Sequence, residues 1–121
     1  MSQLLTGVDM LEVSRLEAAI QRHGDRFLTR VYTERELEQI KDNLPSLAAR
    51  FAGKEAVAKA LATGIGPVSW LEIEILRGPA REPVLHLSGE AKQLADQRGI
   101  TQWAISLSHT HEHALAFVVA S

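Results

Sequence analysis

Apolar residues at helical spacing mark the longest element of this sequence. At about 100° per residue, four apolar side chains share one narrow arc: Leu47, Phe51, Ala58 and Leu61. Ser46 is predicted to cap this helix, and Gly64 and Gly66 are predicted to end it. Lys54 falls inside the apolar arc, and Glu55 borders it. Because charges rarely lie on a core-facing arc unless they are paired or bind something, these two residues are candidates for chemistry.

A second lysine lies close to this pair of charges. Lys59 follows Glu55 by one helical turn. A carboxylate with two amines on one side of one helix suits a metal ion and a phosphate. The ordinary alternative is a Glu-to-Lys pair on a solvated face, which contributes about 0.2–0.5 kcal/mol. The helix by itself leaves both explanations open.

Strict alternation predicts a strand after the helix. Within Trp70–Leu76, apolar residues alternate with Glu72 and Glu74, which is typical of a half-buried strand. The turn Gly78–Pro83 is predicted to join it to a partner strand, Val84–Leu87, as a hairpin.

Shorter elements fill the rest of the chain. Thr33 and Glu36 form a capping box, which predicts a helix to about Lys41. The remaining elements are predicted from apolar runs and glycine stops: strands Leu4–Met10, Trp103–Leu107 and Ala114–Val119, and helices Val13–His23, Asp25–Val31 and Ser88–Gly99. This order predicts an α+β fold in which a small, largely antiparallel sheet packs on one long central helix.

The composition narrows the class of protein. A length of 121 residues fits one domain, residues 1–121. The net charge of −2 gives no reason to expect a nucleic-acid partner. The absence of cysteine excludes disulfides, thiolate metal sites and a cysteine nucleophile. No apolar run approaches the roughly 20 residues of a membrane span, and the N-terminus does not resemble a signal peptide. We therefore expect a cytoplasmic protein without a membrane partner.

A carboxylate also stands in the first predicted strand. Alternation places Asp9 on the same face as Leu5 and Leu11, where it needs a hydrogen-bond donor or a cation. A structural aspartate bonded to backbone amides at the strand end is one explanation. Alternatively, Asp9 and Glu55 together suit Mg²⁺, which typically takes one or two protein carboxylates beside water and substrate phosphates. The second explanation requires the strand and the helix to be neighbours.

Three histidines near the C-terminus invite a zinc site. His109, His111 and His113 would share one face if they lay on a single strand. They lie between two predicted strands, however, so we expect the segment to turn and the shared face to be lost. Surface histidines, or one histidine with hydroxyl groups against an anion, are the expected arrangement.

Several short motifs occur in an order that resembles a known family. They are Gly7-Val8-Asp9, then Glu12 and Arg15, then Phe27-Leu28 and Thr33-Glu34-Arg35-Glu36, then Arg50-Phe51-Ala52-Gly53-Lys54-Glu55-Ala56 with Lys59-Ala60, and finally Ser106-Leu107-Ser108-His109-Thr110. Together, over nearly the whole chain, they resemble the holo-acyl-carrier-protein synthases, which are small 4′-phosphopantetheinyl transferases.

The resemblance implies a Mg²⁺-dependent enzyme of fatty acid biosynthesis. It implies coenzyme A as donor, a serine of an apo acyl carrier protein as acceptor, and a homotrimer with active sites between neighbouring subunits. Asp9 and Glu55 match the magnesium-binding carboxylates, and Lys59 matches a lysine beside the reacting diphosphate. The positions that handle the nucleotide phosphates are matched by Arg50, His109 and Thr110.

The first helix offers a surface for the carrier protein. Arg15 matches a basic residue of the family that docks the acidic carrier helix, and Arg22 lies two turns later on nearly the same side. Leu16 and Ile20 form the predicted buried side, so both arginines are expected to be exposed. The ordinary alternative is that they are solvated charges paired with nearby glutamates.

Two positions depart from the family pattern. Gly53 stands where alanine is usual, which costs about 0.5–1 kcal/mol of helix propensity. Arg81-Glu82-Pro83 stands where the hairpin turn usually reads Gly-Lys-Pro. The second departure bears on the contact between this turn and the adenosine end of coenzyme A in the neighbouring subunit.

The implied reaction is an attack by the serine hydroxyl on the β-phosphorus of coenzyme A, with 3′,5′-ADP as leaving group. Such transfer depends on positioning and charge neutralisation, which Mg²⁺ on Asp9 and Glu55 and the Lys59 ammonium would supply. A water held at the site, or Glu55 directly, would accept the serine proton.

The competing hypothesis is a non-catalytic module that binds an anion or a carrier protein. Two neighbouring carboxylates favour the enzyme, since anion binding gains nothing from them without a cation.

The last predicted strand points to self-association. Ala114–Val119 is almost continuously apolar, which in so small a domain predicts burial on both faces. A symmetric oligomer would supply the missing cover, and the resemblance makes a trimer the expected number.

Overall fold

The α+β class is confirmed by the computed structural model, which describes residues 3–121. Met1 and Ser2, the first residues of the predicted domain, lie outside the described residues. The strands are β1 (Leu5–Glu12), β2 (Ile73–Arg77), β3 (Pro83–Leu87), β4 (Trp103–His109) and β5 (His113–Ala120). The helices are α1 (Val13–His23), α2 (Asp25–Val31), α3 (Glu34–Ile40), α4 (Leu44–Ala60), a 3₁₀ turn (Trp70–Glu72) and α5 (Gly89–Gln97).

The strands form two antiparallel sheets. The larger has the order β1-β5-β4, and β2 with β3 forms a separate hairpin. Small side chains let α4 lie flat on the larger sheet: Ala52 and Ala56 of the helix share one hydrophobic cluster with Ala116 and Val118 of β5. A long helix against a small antiparallel sheet is the predicted architecture.

Gly7 sets the closest approach between β1 and α4. A Cβ atom at this position would overlap the Ala56 carbonyl oxygen and would lie 3.1 Å from the Ala60 amide nitrogen. A glycine therefore allows the helix backbone to rest directly on the strand. Asp9 follows on the same face of β1, so this close approach brings its carboxylate beside α4.

The start of α4 differs from the prediction. The helix begins at Leu44, and its cap is Asn43, whose side-chain oxygen accepts a hydrogen bond from the Ser46 amide at 3.1 Å. The prediction of Ser46 as the cap is wrong, because Asn43 is a strong capping residue three positions earlier and Pro45 is compatible with the first helical turn.

The hairpin also begins later than the alternation predicts. Trp70–Glu72 is a 3₁₀ turn closed by a capping box between Ser69 and Glu72, and β2 begins at Ile73. The Glu72 carboxylate accepts hydrogen bonds from the Ser69 amide at 2.8 Å and from the Glu90 amide at 2.6 Å. Glu72 therefore caps α5 across the chain and does not stand on the solvent face of a strand.

Gly53 has a packing reason to lie in the middle of α4. A Cβ atom there would lie 2.6 Å from Ile75 Cδ1 and 3.3 Å from Leu107 Cδ2. The tip of Ile75 thus fills the space that an alanine methyl group would take. Helix propensity favours alanine by about 0.5–1 kcal/mol, whereas overpacking a core costs about 1–3 kcal/mol.

We expect Gly53→Ala to destabilise the wild-type protein and to be stabilising once Ile75→Val has removed the Cδ1 atom. The coupling energy of this double-mutant cycle should be about 1 kcal/mol. Chemical denaturation of the four proteins measures it. Additive effects would show that Ile75 does not occupy the alanine position.

Within residues 3–121, no helix combines the length and the apolar character that crossing a membrane requires.

Candidate active site

The three predicted catalytic residues, Asp9, Glu55 and Lys59, lie where β1 crosses α4. Lys59 Nζ donates to Asp9 Oδ1 at 3.0 Å and to the Val8 carbonyl oxygen at 2.9 Å. Glu55 stands one turn before Lys59 on α4. Asp9 is half-buried on the alternating inner face of β1, as the sequence predicts. The strand and the helix are therefore the neighbours that a shared carboxylate site requires.

The charges of this group are not balanced. Burial raises the pKa of Glu55, the charge of Asp9 raises it further, and Lys59 opposes both effects. The two carboxylates are thus close enough to repel each other, and one ammonium group serves both. An additional cation would relieve this repulsion.

The donor set fits a hard divalent cation. Both candidate ligands are carboxylates, which Mg²⁺ prefers. Among residues 3–121, no three or more Asp, Glu or His side chains are grouped in a way that could hold a metal ion. A cation here would take the carboxylates of Asp9 and Glu55 and complete its shell with water and phosphate oxygens, which is usual for Mg²⁺.

Lys54 belongs to a separate, buried site. Its Nζ donates to Glu36 Oε1 at 2.8 Å, to the Trp70 carbonyl oxygen at 2.9 Å and to the Ile73 carbonyl oxygen at 2.6 Å. Both charged side chains have 0% exposure. The hypothesis that two amines flank Glu55 is wrong for Lys54, because its side chain turns into the core.

Glu36 is the buried partner that sequence reasoning missed. Its Oε1 also accepts the Thr33 amide at 2.8 Å, and its Oε2 accepts the Ile75 amide at 2.9 Å. One carboxylate therefore joins α3, α4 and β2. The available signal was Lys54 itself, because an ammonium on an apolar arc needs a buried carboxylate.

Arg50 lies on α4 one turn before Lys54. Its side chain is almost completely buried, and its Nε atom has no hydrogen-bond partner within residues 3–121. Burial lowers the pKa of this guanidinium, and the nearby Arg77 lowers it further. The predicted role of Arg50 toward nucleotide phosphates stays a prediction, and Arg77 is a neighbour that no sequence motif indicated.

The histidine segment turns, as the sequence predicts. His109 is the last residue of β4 and pairs with Ala114, whereas His113 is the first residue of β5. The Thr110 hydroxyl accepts a hydrogen bond from the His113 amide at 3.0 Å and closes the turn that contains His111. His109 and Thr110 are both exposed, so an anion could reach them.

The exposed side of α1 carries the two predicted docking arginines. Arg15 and Arg22 are exposed, Leu16 is buried and Ile20 is half-buried, as expected. At the end of the helix and beyond it, further basic residues line a cavity with Phe27: His23, Arg26 and Arg30. This wider basic surface was not predicted.

The outer face of the larger sheet is apolar and exposed. Val8 and Met10 of β1 face outward at 52% and 66% exposure, and Leu115 and Phe117 of β5 do so at 41% and 46%. Val8 pairs with Phe117, and Met10 pairs with Leu115, so the four side chains are contiguous. Within the single chain α4 covers one face of the sheet only, so the predicted burial of β5 on both faces requires a partner subunit and stays a prediction.

Comparison with known proteins agrees with this geometry. The sequence model that describes the 4′-phosphopantetheinyl transferase superfamily matches residues 6–118 of this chain. A holo-acyl-carrier-protein synthase of Dehalococcoides mccartyi is 50% identical over 97% of this chain and 98% of its own length. A protein of the same name from Herpetosiphon aurantiacus is 46% identical over 96% of this chain and 97% of its own length.

Solved structures agree as well. The holo-acyl-carrier-protein synthase of Helicobacter pylori, in complex with coenzyme A, superposes with a TM-score of 0.89 at 36% identity and covers 97% of this chain and all of its own. A family match over most of the chain, together with relatives this similar, is decisive. The chain belongs to the 4′-phosphopantetheinyl transferase superfamily, among the holo-acyl-carrier-protein synthases.

Proposed function

We propose that this enzyme transfers the 4′-phosphopantetheine group from coenzyme A to a serine of an apo acyl carrier protein, with Mg²⁺ as cofactor, and releases 3′,5′-ADP. The observation that carries the proposal is the meeting of Asp9, Glu55 and Lys59 at the crossing of β1 and α4. Two mutually repelling carboxylates beside one lysine suit a bound cation and a diphosphate better than they suit an anion alone.

Lys59 would contact the reacting phosphates. Its ammonium is half-exposed and already neutralises Asp9, so it can turn part of its donor capacity to a phosphate oxygen. An ammonium group beside the leaving phosphate stabilises the charge that develops as the P–O bond breaks.

Asp9 and Glu55 would hold the metal ion. When bound, Mg²⁺ neutralises the diphosphate and orients it. The close backbone contact at Gly7 places the strand directly against the helix, which would hold the two carboxylates near each other. Such fixed positioning is the main protein contribution to phosphoryl transfer.

Glu55 is also our candidate for the proton acceptor. In the metal-free protein, burial and then the charge of Asp9 raise the pKa of its carboxyl group. A carboxylate oxygen of Glu55 that does not bind the metal ion would accept the serine proton. A water hydrogen-bonded to the carboxylates is the alternative acceptor.

The carrier protein would dock on α1 through Arg15 and Arg22. Both arginines are exposed and on one side of the helix. Exposed charge complementary to an acidic partner mainly raises the rate of encounter.

Arg15→Glu should raise the apparent KM for the carrier several-fold and leave that for coenzyme A nearly unchanged. The defect should shrink as salt is added, because screening removes the wild-type advantage. Steady-state kinetics at low and high salt measures both. Arg98→Glu, at an exposed position after α5, is the matched control. An equal rise in the apparent KM for both substrates, or a rise that does not depend on salt, would contradict the docking role.

We further propose that the protein is a homotrimer, assembled through the outer face of the larger sheet. Contiguous exposed apolar surface on a monomer marks an interaction site, and β1 and β5 present it in four neighbouring side chains. A trimer would bury this face and would bring residues of adjacent subunits near each active site.

Phe117→Arg should dissociate the assembly, because it would place a charge in the centre of the covered face. Light scattering should give three chain masses for the wild type and for the control Leu71→Arg, which alters an exposed apolar residue outside the sheet. A stable wild-type monomer at working concentration would contradict the proposal.

A single domain over residues 1–121, a cytoplasmic location and a role in fatty acid biosynthesis complete the proposal. Both hydrophobic clusters contain residues of α4, which supports a single domain. The absence of a nucleic-acid or membrane partner remains an expectation from charge and composition.

Release of 3′,5′-ADP tests the reaction. Chromatography should detect the product only when coenzyme A, Mg²⁺ and an apo carrier are all present, and not with a carrier whose acceptor serine is alanine. A protein that binds coenzyme A and the carrier but releases nothing would be a non-catalytic binding module.

A further inference from the structure

The corner between α1 and α2 brings several basic side chains together. Gly24 ends α1 and directly precedes α2, with a φ of 56° that glycine adopts without strain. Its amide donates to the Ile20 carbonyl oxygen at 2.7 Å and closes the last turn of α1. No further loop residue separates the two helices, so His23, the last residue of α1, lies beside the first turns of α2.

Four side chains at this corner line one cavity of about 340 Å³, which we call the basic cavity: His23, Arg26, Phe27 and Arg30. Arg26 and Arg30 are one turn apart on α2 and therefore share a side of that helix. Phe27 is half-buried, and its ring stacks on Phe51 of α4 with 6.3 Å between centroids. The cavity thus combines three exposed basic groups with one aromatic ring that is packed in place.

The basic cavity has no counter-charge of its own. Within residues 3–121, no acidic side chain forms a salt bridge with His23, Arg26 or Arg30. The charged residues closest to His23 along α1 and α2 are Arg22, Asp25, Arg26 and Arg30. Helix α4 and strand β1 also pack on α1, but none of their charged groups lines the cavity. Cations therefore outnumber carboxylates at this corner, which favours an acidic partner.

The cavity continues the surface on which the carrier protein is proposed to dock. Arg22 precedes His23 in the last turn of α1, and Arg15 lies two turns earlier on nearly the same side. An acidic carrier that lies along α1 would therefore meet the basic cavity at the end of this helix. Among basic side chains, only histidine ordinarily changes its charge between pH 5 and 8, and a nearby carboxylate favours the protonated form.

We propose that the basic cavity binds an acidic side chain of the apo carrier protein and that His23 takes up a proton on docking, which makes the carrier bind more tightly at pH 6 than at pH 8. The inference rests on the proposed function. The proton comes from the solvent and goes to the free imidazole nitrogen, so that the charged ring donates a hydrogen bond to the carboxylate. The arginines stay charged throughout this range, so they add affinity without pH dependence.

Calorimetric titration of the protein with an apo acyl carrier protein, without coenzyme A, tests the inference. Wild-type protein should bind the carrier about threefold more tightly at pH 6 than at pH 8, which is the size expected for one exposed charge pair. At pH 7, titrations in two buffers of different ionisation enthalpy should show a net uptake of protons on binding.

Three variants assign the proton to one residue. His23→Gln should bind with little dependence on pH and should take up fewer protons. His23→Lys carries a constant charge, so it should bind tightly at both pH values. The control His86→Gln, which alters an exposed histidine of β3, should behave as wild type.

Two results would overturn the role of His23: a wild-type affinity for the carrier that is equal at both pH values, or a pH dependence that His23→Gln keeps in full. Phosphopantetheine transfer by such a protein would leave the proposed function standing. A protein that neither binds nor modifies any of a panel of apo carriers would refute the proposed function and the inference together.

Discussion

Glu55→Gln is expected to reduce phosphopantetheine transfer by at least about a hundredfold, which is typical for loss of one group that stabilises transition-state charge. The amide keeps the volume of the side chain and removes the charge that repels Asp9. The fold should therefore survive, and circular dichroism should be unchanged. Initial rates of carrier modification at saturating coenzyme A measure the loss.

The same variant distinguishes loss of metal binding from loss of folding. Mg²⁺ should raise the melting temperature of wild-type protein, since a ligand that binds only the folded state stabilises it by mass action. Glu55→Gln should lose this increase. Glu90→Gln, which removes an exposed carboxylate from α5, should keep both the increase and the activity. Full activity of Glu55→Gln at limiting Mg²⁺ would remove Glu55 from the metal site.

The pH dependence of stability has a definite sign. Because the folded state raises the pKa of Glu55, it holds the carboxyl proton more tightly than the unfolded chain does. This residue therefore lowers the free energy of unfolding as pH rises through its titration range. In the absence of metal, Glu55→Gln should be more stable than wild type at neutral pH, and the difference should disappear in acid.

Lys54→Met is expected to be the most destabilising single change, at about 3–5 kcal/mol, because it leaves the Glu36 carboxylate buried without its cation. Both side chains are fully buried and 2.8 Å apart. The carbonyl groups of Trp70 and Ile73 would also lose a donor. Thermal unfolding at fixed protein concentration should show a decrease of at least about 10 °C.

A second variant identifies the uncompensated charge as the cause. Glu36→Gln combined with Lys54→Met removes the buried charge. The glutamine oxygen keeps an acceptor for one of the Thr33 and Ile75 amides, which bond different oxygens of Glu36. The double variant should be more stable than Lys54→Met alone. If it is equally unstable or worse, loss of the hydrogen bonds of Lys54 and Glu36 explains the effect, and the charge does not.

The sequence predicts the elements of this fold well because each has a local signal. Thr33 and Glu36 form the predicted capping box, and the strand segments around the histidine turn pair as expected. The predicted boundaries of helices and strands are wrong where a side chain forms hydrogen bonds to residues far away in the sequence. Glu72 follows the alternation of a strand, yet its carboxylate caps α5, which no local pattern contains.

The candidate site was only partly predictable for the same reason. Asp9 and Glu55 are recognisable as carboxylates in apolar surroundings, and the contact at Gly7 explains how they become neighbours. Lys54 satisfies the same criterion but pairs with Glu36, and only the packing of α3 against α4 separates a structural charge from a catalytic one. Arg77 has no sequence signal, because only the fold brings it near Arg50.

Intact mass spectrometry of an apo acyl carrier protein, incubated with this protein, coenzyme A and Mg²⁺, tests directly whether the enzyme transfers the 4′-phosphopantetheine group. The carrier should gain one 4′-phosphopantetheine group on its acceptor serine, and chelation of the metal or Glu55→Gln should prevent the gain. An unchanged carrier mass across a panel of apo carriers, with folded protein and Mg²⁺ present, would contradict it.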